Sequence, residues 1–356
     1  MDVPPGLKPF WDRPLSEFVT LDEPPIEAPL QERHRIYSLM TLAILDSQWN
    51  GNKYGNPGDY GAWRTGQLVK GPASKLGYHE GGSYLGHNIA AIAVDARGRV
   101  IDFDFNHNEL FNSSVEHAES RLLRRLFSLT QLFESWEPAS GAADSSGFGN
   151  PSATFLVAMS RGPKEAAQAA PVAPHRTGYG SLLSDVTIYT SLESCAQCSG
   201  TMTLADVREV VYLQPDPTQY LVGNLLWRAT RTTGYGPRAP ESVPASRAGV
   251  AAFDALDRAN RDFEHRVKKE PFFRSGSGTK GASITSFLCT DIARAVMRDA
   301  TREFEDFAVE HPTYVRPSRD DKPVPGALTN AEVLAETSQF LDYVRRQGQR
   351  GTPHRA

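Results

Sequence analysis

Two short clusters restrict what this chain can fold into: His117-Ala118-Glu119 and Cys195-Ala196-Gln197-Cys198. They lie 78 residues apart in sequence, so the fold must bring two distant segments together if they act as one site. Zinc takes nitrogen and thiolate ligands in tetrahedral geometry, and catalytic sites use three protein ligands and leave the fourth position open. His117, Cys195 and Cys198 meet that count. A Cys-x-x-Cys pair at a helix start lets both sulfurs converge on one ion, and the helix N–H groups and dipole favour thiolates there. Glu119 follows His117 by two residues, a spacing that in a first helical turn places a non-ligand carboxylate beside the ion. By itself a Cys-x-x-Cys pair also fits a redox couple or half of a structural zinc ribbon. The chain has three cysteines, so a second pair for a ribbon is missing.

The flanking sequence supplies elements to carry these clusters. Ile36, Leu39, Met40 and Ala43 recur at helical spacing. Asn88 to Val94 and Val100 to Phe105 read as a β-hairpin around Asp95-Ala96-Arg97-Gly98, a turn with glycine where positive φ is needed. Ser113-Ser114-Val115-Glu116 resembles a capping box opening a helix through Leu122, Leu126 and Leu129. Asp185 to Thr190 is a β-branched strand, a second helix starts at Cys195, and Glu209 to Leu213 is a further strand. Residues 231–246 read as a linker, followed by helical patterns near 247–268, 284–310 and 329–347. The last begins at another capping box, Thr329-Asn330-Ala331-Glu332.

With 356 residues, 40% of them hydrophobic, the chain has material for two domains or one with large additions. A net charge of −4 gives no general pull toward nucleic acid. Met1-Asp2-Val3-Pro4-Pro5 lacks the features of a secretory signal, and no apolar run has spanning length, so a reducing cytoplasm and no membrane are expected.

The residues around the two clusters resemble the zinc deaminases of nucleobases and nucleosides, the cytidine deaminase-like superfamily, with its signature H-x-E…P-C-x-x-C. Residues 186–217 are most similar to the tRNA adenosine and guanine deaminase branch. Ser191-Leu192-Glu193 precedes the cysteines as Thr-Leu-Glu does there, and Val211-Tyr212 and Asp216-Pro217 follow them. Asn106 matches a base-binding asparagine of the tRNA adenosine deaminases. The resemblance covers 31–48 loosely and 88–134 and 185–220 well, under half of the chain. Ser194 stands where the family has proline, and both suit a helix start. Residues 137–181 form an insertion suited to a lid or pocket wall, and beyond Pro217 the family's last helix and strand find no match.

The resemblance implies a three-layer α/β/α sandwich on a mixed central sheet, spanning 31–230 with insertions at 49–82 and 137–181. An arm, 1–30, precedes it and a mainly helical extension, 231–356, follows. It implies Zn2+ on His117, Cys195 and Cys198, Glu119 as proton shuttle, and substrate contacts at Asn106, Ala118, Glu193 and Ala196. Asn106 also fits a simple cap of the hairpin end, and Glu193 a hydrogen bond to the helix start. The expected reaction is hydrolytic deamination of a nucleobase-type amino group on a free base, nucleoside or nucleotide, with a homodimer possible. The alternatives are a tRNA or single-stranded DNA deaminase and an inactive zinc scaffold. His107 reads as a turn or pocket residue, and Arg121, Arg124 and Arg125 as a solvated helix face.

Overall fold

The computed structural model describes residues 14, 25–49, 86–108, 111–136, 183–219, 221–233, 237–269, 273–275, 278–280 and 283–350. Most of the N-terminal arm, 49–82 beyond Trp49, and 137–181 lie outside the described residues.

Five strands form one mixed sheet in the order β2-β1-β3-β4-β5. They are β1 (Ala90–Val94), β2 (Val100–Phe105), β3 (Thr187–Thr190), β4 (Glu209–Tyr212) and β5 (Glu241–Pro244). Strand β1 is antiparallel to β2 and to β3, and β3, β4 and β5 run parallel. Parallel neighbours need crossover connections, here α3 (Ala196–Leu204) between β3 and β4 and α4 (Val222–Thr233) between β4 and β5. The hairpin turn is built as its sequence predicts. Asp95 Oδ1 accepts from the N–H groups of Arg97 and Arg99 at 2.9 and 2.8 Å, and Gly98 takes φ +86°.

Successive residues of a strand face opposite sides of the sheet, and β3 shows which helices lie where. Tyr189 packs against His34 and Tyr37 of α1 (Ala28–Ser47), with ring centroids 5.8 and 4.9 Å apart. Its neighbour Thr190 turns to Glu119 of α2 (Ala118–Trp136) on the other face. The result is an α/β/α arrangement with α1 on one face and α2, α3 and α4 packed together on the other.

From Glu32 to Leu45 every residue of α1 except Arg35 is buried, although the sequence pattern marks one apolar face. A helix buried all round needs cover on both sides. The second cover is the C-terminal region: α7 (Asp291–Glu305) and α8 (Asn330–Arg350) lie against α1. The buried charges of α1 find partners there. Arg33 Nε donates to Asn330 Oδ1 at 2.9 Å and reaches the Leu328 carbonyl, while Glu32 accepts from Asn330 Nδ2 at 2.8 Å and His311 N at 3.0 Å. Between β5 and α7 come α5 (Ala251–Lys269), a short β6–β7 hairpin (Phe273–Ser275, Gly278–Lys280) and α6 (Ile284–Phe287).

Three sequence expectations are revised. The segment 231–246 holds β5, so the sheet closes beyond residue 230 and the C-terminal helices share one core with the rest. An edge strand of sequence ESVP has no apolar period to reveal it, and its proline stands at an end and edge where a missing N–H is tolerated. Ser113–Glu116 is a turn rather than a helix start: α2 begins at Ala118, and the Glu116 carboxylate is drawn to Arg121 and Arg124 at 2.8 and 2.7 Å. The Thr329–Glu332 box does form, with Thr329 N donating to Glu332 Oε2 at 2.8 Å and Glu332 N donating to Thr329 Oγ1 at 3.3 Å. Finally, Arg121 and Arg125 dock on β2. Arg121 Nε lies 3.2 Å from Asp104, and Arg125 pairs with Asp102 and Asp104, so only Arg124 of this run is exposed.

Candidate metal centre

The C-terminal end of β3 delivers Cys195 to the first position before α3, where it is the N-cap residue, and Cys198 follows one turn later. His117 immediately precedes α2, which crosses the same face of the sheet. These two helix starts bring the distant clusters together. His117 Nδ1 lies 3.3 Å from Cys195 Sγ and 3.6 Å from Cys198 Sγ, and the two sulfurs are 3.6 Å apart. A tetrahedral zinc with its usual bond lengths needs about 3.8 Å between sulfurs and about 3.5 Å from sulfur to nitrogen. The three ligand atoms therefore already stand at the corners such an ion requires, and they form a group able to hold a metal. The Cys198 thiol and His117 hold the Cys195 thiol well below its usual range.

Glu119 stands beside this triangle as a buried carboxylate. Its Oε1 accepts from Ser194 Oγ at 3.0 Å and Thr190 Oγ1 at 3.4 Å, and its Oε2 lies 3.5 Å from Cys198 Sγ. Burial raises its pKa. Ser120 Oγ lies 3.4 Å from Cys198 Sγ, and Gln197 Nε2 donates to Ser120 Oγ and the Val115 carbonyl, both at 3.0 Å, tying α3 to the approach of α2.

The sequence-predicted substrate contacts fall around the same point. Asn106, at the end of β2, is buried, and its Oδ1 accepts from Ala118 N at 2.8 Å, so it caps α2 next to His117. Ala118 is fully buried, with its N–H held by that bond. Glu193 ties the exits of β3 and β4: its N–H donates to the Gln214 carbonyl at 2.8 Å and its Oε2 accepts from Asp216 N at 3.0 Å. Burial pushes the Glu193 carboxyl up to about 7. Ala196 is exposed at the N-terminus of α3, beside Cys195. His107 is buried and sits outside the ligand group, its ring against Phe111 at 6.2 Å between centroids.

Two residues escaped the sequence reading. Ser194 looks like a helix cap, yet Cys195 takes that position and the Ser194 hydroxyl turns to Glu119. Thr190 looks like one more β-branched strand residue. Its signal was the strand alternation itself, which puts it opposite Tyr189 and on the face of α2.

No protein-family model matches the chain, and no curated protein matches its sequence. Solved structures do resemble it. One comes from work on A-to-I editing by tRNA:A34 deaminases at the wobble position, with 17% identity, 46% of this chain and 83% of that chain covered, and a TM-score of 0.24. Another is a guanine deaminase from Nitrosomonas europaea, with 14% identity, coverage of 66% and 87%, and a TM-score of 0.26. A third, in complex with 2,6-diaminopurine, has 15% identity, coverage of 61% and 71%, and a TM-score of 0.25. At such identities and scores the likeness decides nothing about the reaction, which has to be read from the site.

Proposed function

We propose that this chain is a zinc-dependent hydrolytic deaminase acting on the amino group of a nucleobase-type ring, in a free base, nucleoside or nucleotide. The observation that carries it is the triangle of His117 Nδ1, Cys195 Sγ and Cys198 Sγ, with 3.3 to 3.6 Å edges, and a buried carboxylate, Glu119, beside it. Three ligands leave a tetrahedral ion one open position, which is the arrangement of a catalytic site. Zinc bound there supplies Lewis acidity that makes water a nucleophile near neutral pH.

The remaining work belongs to the chain's own residues. Glu119, outside the ligand set, takes the proton released by the attacking water and returns protons to the ring nitrogen and then to the departing amino group. The balance is one water consumed, the C–N bond replaced by C=O, and ammonia released. Ser194 and Thr190 hold one carboxylate oxygen, which leaves Oε2 on the side of the metal ligands. Asn106 fixes the start of α2 and therefore His117, and Glu193 fixes the loop that delivers Cys195.

A small substrate is favoured over a strand. The arginines on the active-site helix are neutralised by Asp102, Asp104 and Glu116 and so offer no track for phosphates. No described helix is long and apolar enough to cross a membrane. Elemental analysis should find about one zinc per chain, lost in a Cys195→Ala/Cys198→Ala variant. Ammonia release should appear on bases, nucleosides or nucleotides. Zinc without turnover on any of them would leave an inactive scaffold, and turnover confined to oligonucleotides would move the substrate class.

A further inference from the structure

A concave site lies at the opposite end of the parallel strands from the candidate metal ligands. Cys195 follows the C-terminal end of β3, whereas this cavity of about 460 Å³ is lined by Glu209 and Glu241, the first residues of β4 and β5. Its volume lies in the range of small-molecule sites. Five arginines line it: Arg208, Arg231, Arg238, Arg316 and Arg319. Among the described lining residues arginines outnumber carboxylates, in a chain whose net charge is −4.

The two carboxylates are already engaged. Glu209 is held by both terminal nitrogens of Arg316, and Glu241 by Arg247 at 3.4 Å. Arg319 is paired with Asp206 at 2.9 Å, and Arg208 donates to the Pro317 carbonyl at 2.8 Å. Arg231 and Arg238 have no carboxylate partner among the described residues. Arg231 is nonetheless placed, its guanidinium 5.0 Å from the centre of the Trp227 ring, which also lines the cavity. The Nε–H of Arg316 is buried without a hydrogen-bond partner. Guanidinium donors around a concavity, with no lysine among the described lining residues, fit the oxygens of phosphate, which arginine takes two at a time.

We propose that this cavity binds a phosphorylated small molecule, with Arg231 and Arg238 as the principal phosphate ligands and Arg208 and Arg319 as its supporting walls. The ligand class is a phosphomonoester or pyrophosphate group, free or carried by a nucleotide. A concavity of about 460 Å³ suits one such molecule better than a nucleic-acid strand, which is read along an extended basic track. The site stands independently of the chemistry at His117, Cys195 and Cys198.

Calorimetric titration of the full-length protein with inorganic pyrophosphate, a nucleoside triphosphate, the matching nucleoside and a single-stranded oligonucleotide tests this. Saturable binding of pyrophosphate or the triphosphate is expected. In an Arg231→Ala/Arg238→Ala variant, altered at two exposed side chains, affinity should fall by about tenfold or more for each guanidinium–phosphate hydrogen bond removed. Metal content and thermal unfolding of that variant should be unchanged, which separates this site from phosphate binding to the metal. Equal affinity for pyrophosphate and triphosphate identifies the phosphate alone as the ligand group, and tighter triphosphate binding adds the nucleoside. No saturable binding, undiminished binding by the double variant, equally tight binding of the nucleoside, or binding of the oligonucleotide alone would overturn the proposal. None of these results alters ammonia release, so the deaminase reading stands or falls separately.

Discussion

At the C-terminal end of β3 the buried carboxylate is met by hydroxyls and lies beside the His117, Cys195 and Cys198 group, whereas at the N-terminal ends of β3 and β4 a buried carboxylate is met by a guanidinium. At the first, Glu119 is held by two hydroxyls, and its neighbours are thiols and an imidazole. At the second, Glu209 is held by both arms of Arg316 and by the Thr187 hydroxyl at 2.8 Å. Burial alone would raise the Glu209 carboxyl, but Arg316 together with His34 and Arg208 holds the group well below the usual carboxylate range. A buried charge needs compensation. One end has it within the protein, while the other gathers a group able to hold a cation and is the end where the proposed chemistry is expected.

The sharpest way to break this contrast is at Glu119. Glu119→Gln keeps the shape and both hydroxyl neighbours but removes the base. Turnover should fall by about 10²–10⁴-fold, with metal content unchanged. Ammonia release and elemental analysis on the same preparation read both quantities. Near-normal turnover would make Glu119 a structural carboxylate like Glu209.

At the opposite end the same kind of change should affect stability instead. Arg316→Met leaves the Glu209 carboxylate buried and uncompensated and should cost about 3–5 kcal/mol in denaturant unfolding. Adding Glu209→Gln should recover much of it. The folded pKa of Glu209 is depressed below its unfolded value near about 4.3, so the pair's contribution is complete above about pH 5. It is lost as pH falls through the folded value. The acid loss of stability in the wild type should therefore be steeper than in the double variant. An equal loss in both would show that other carboxylates set it.

The smallest effect is expected at Ser194, which sharpens the comparison by testing whether a hydroxyl suffices to hold Glu119. Ser194→Ala should lower kcat by about tenfold, the scale of one hydrogen bond to a charged group. Metal content and unfolding temperature should stay as they are, and Ser194→Thr should restore part of the rate. An unchanged kcat would assign the positioning to Thr190.

How much of this was legible depends on how local each signal is. The candidate ligands His117, Cys195 and Cys198, the neighbouring carboxylate Glu119 and the Asp95–Gly98 turn are short patterns, so the sequence by itself was enough to single them out. The β1–β2 hairpin and the starts of α3 and α8 follow from local period and capping as well, while the mixed sheet was an expectation of the family resemblance. Tertiary structure alone decided the rest. It put β5 into a segment without apolar period, because an edge strand is recruited by its neighbour's free N–H and C=O groups. It buried α1 on both sides, because α7 and α8 arrive from roughly 250 residues away or more. It turned Arg121 and Arg125 from a solvated face into the partners of Asp102 and Asp104, and Ser194 from a cap into a support for Glu119. Each of these outcomes is a pairing between groups far apart in the chain, and periodicity along a sequence carries no record of which distant group will supply the partner.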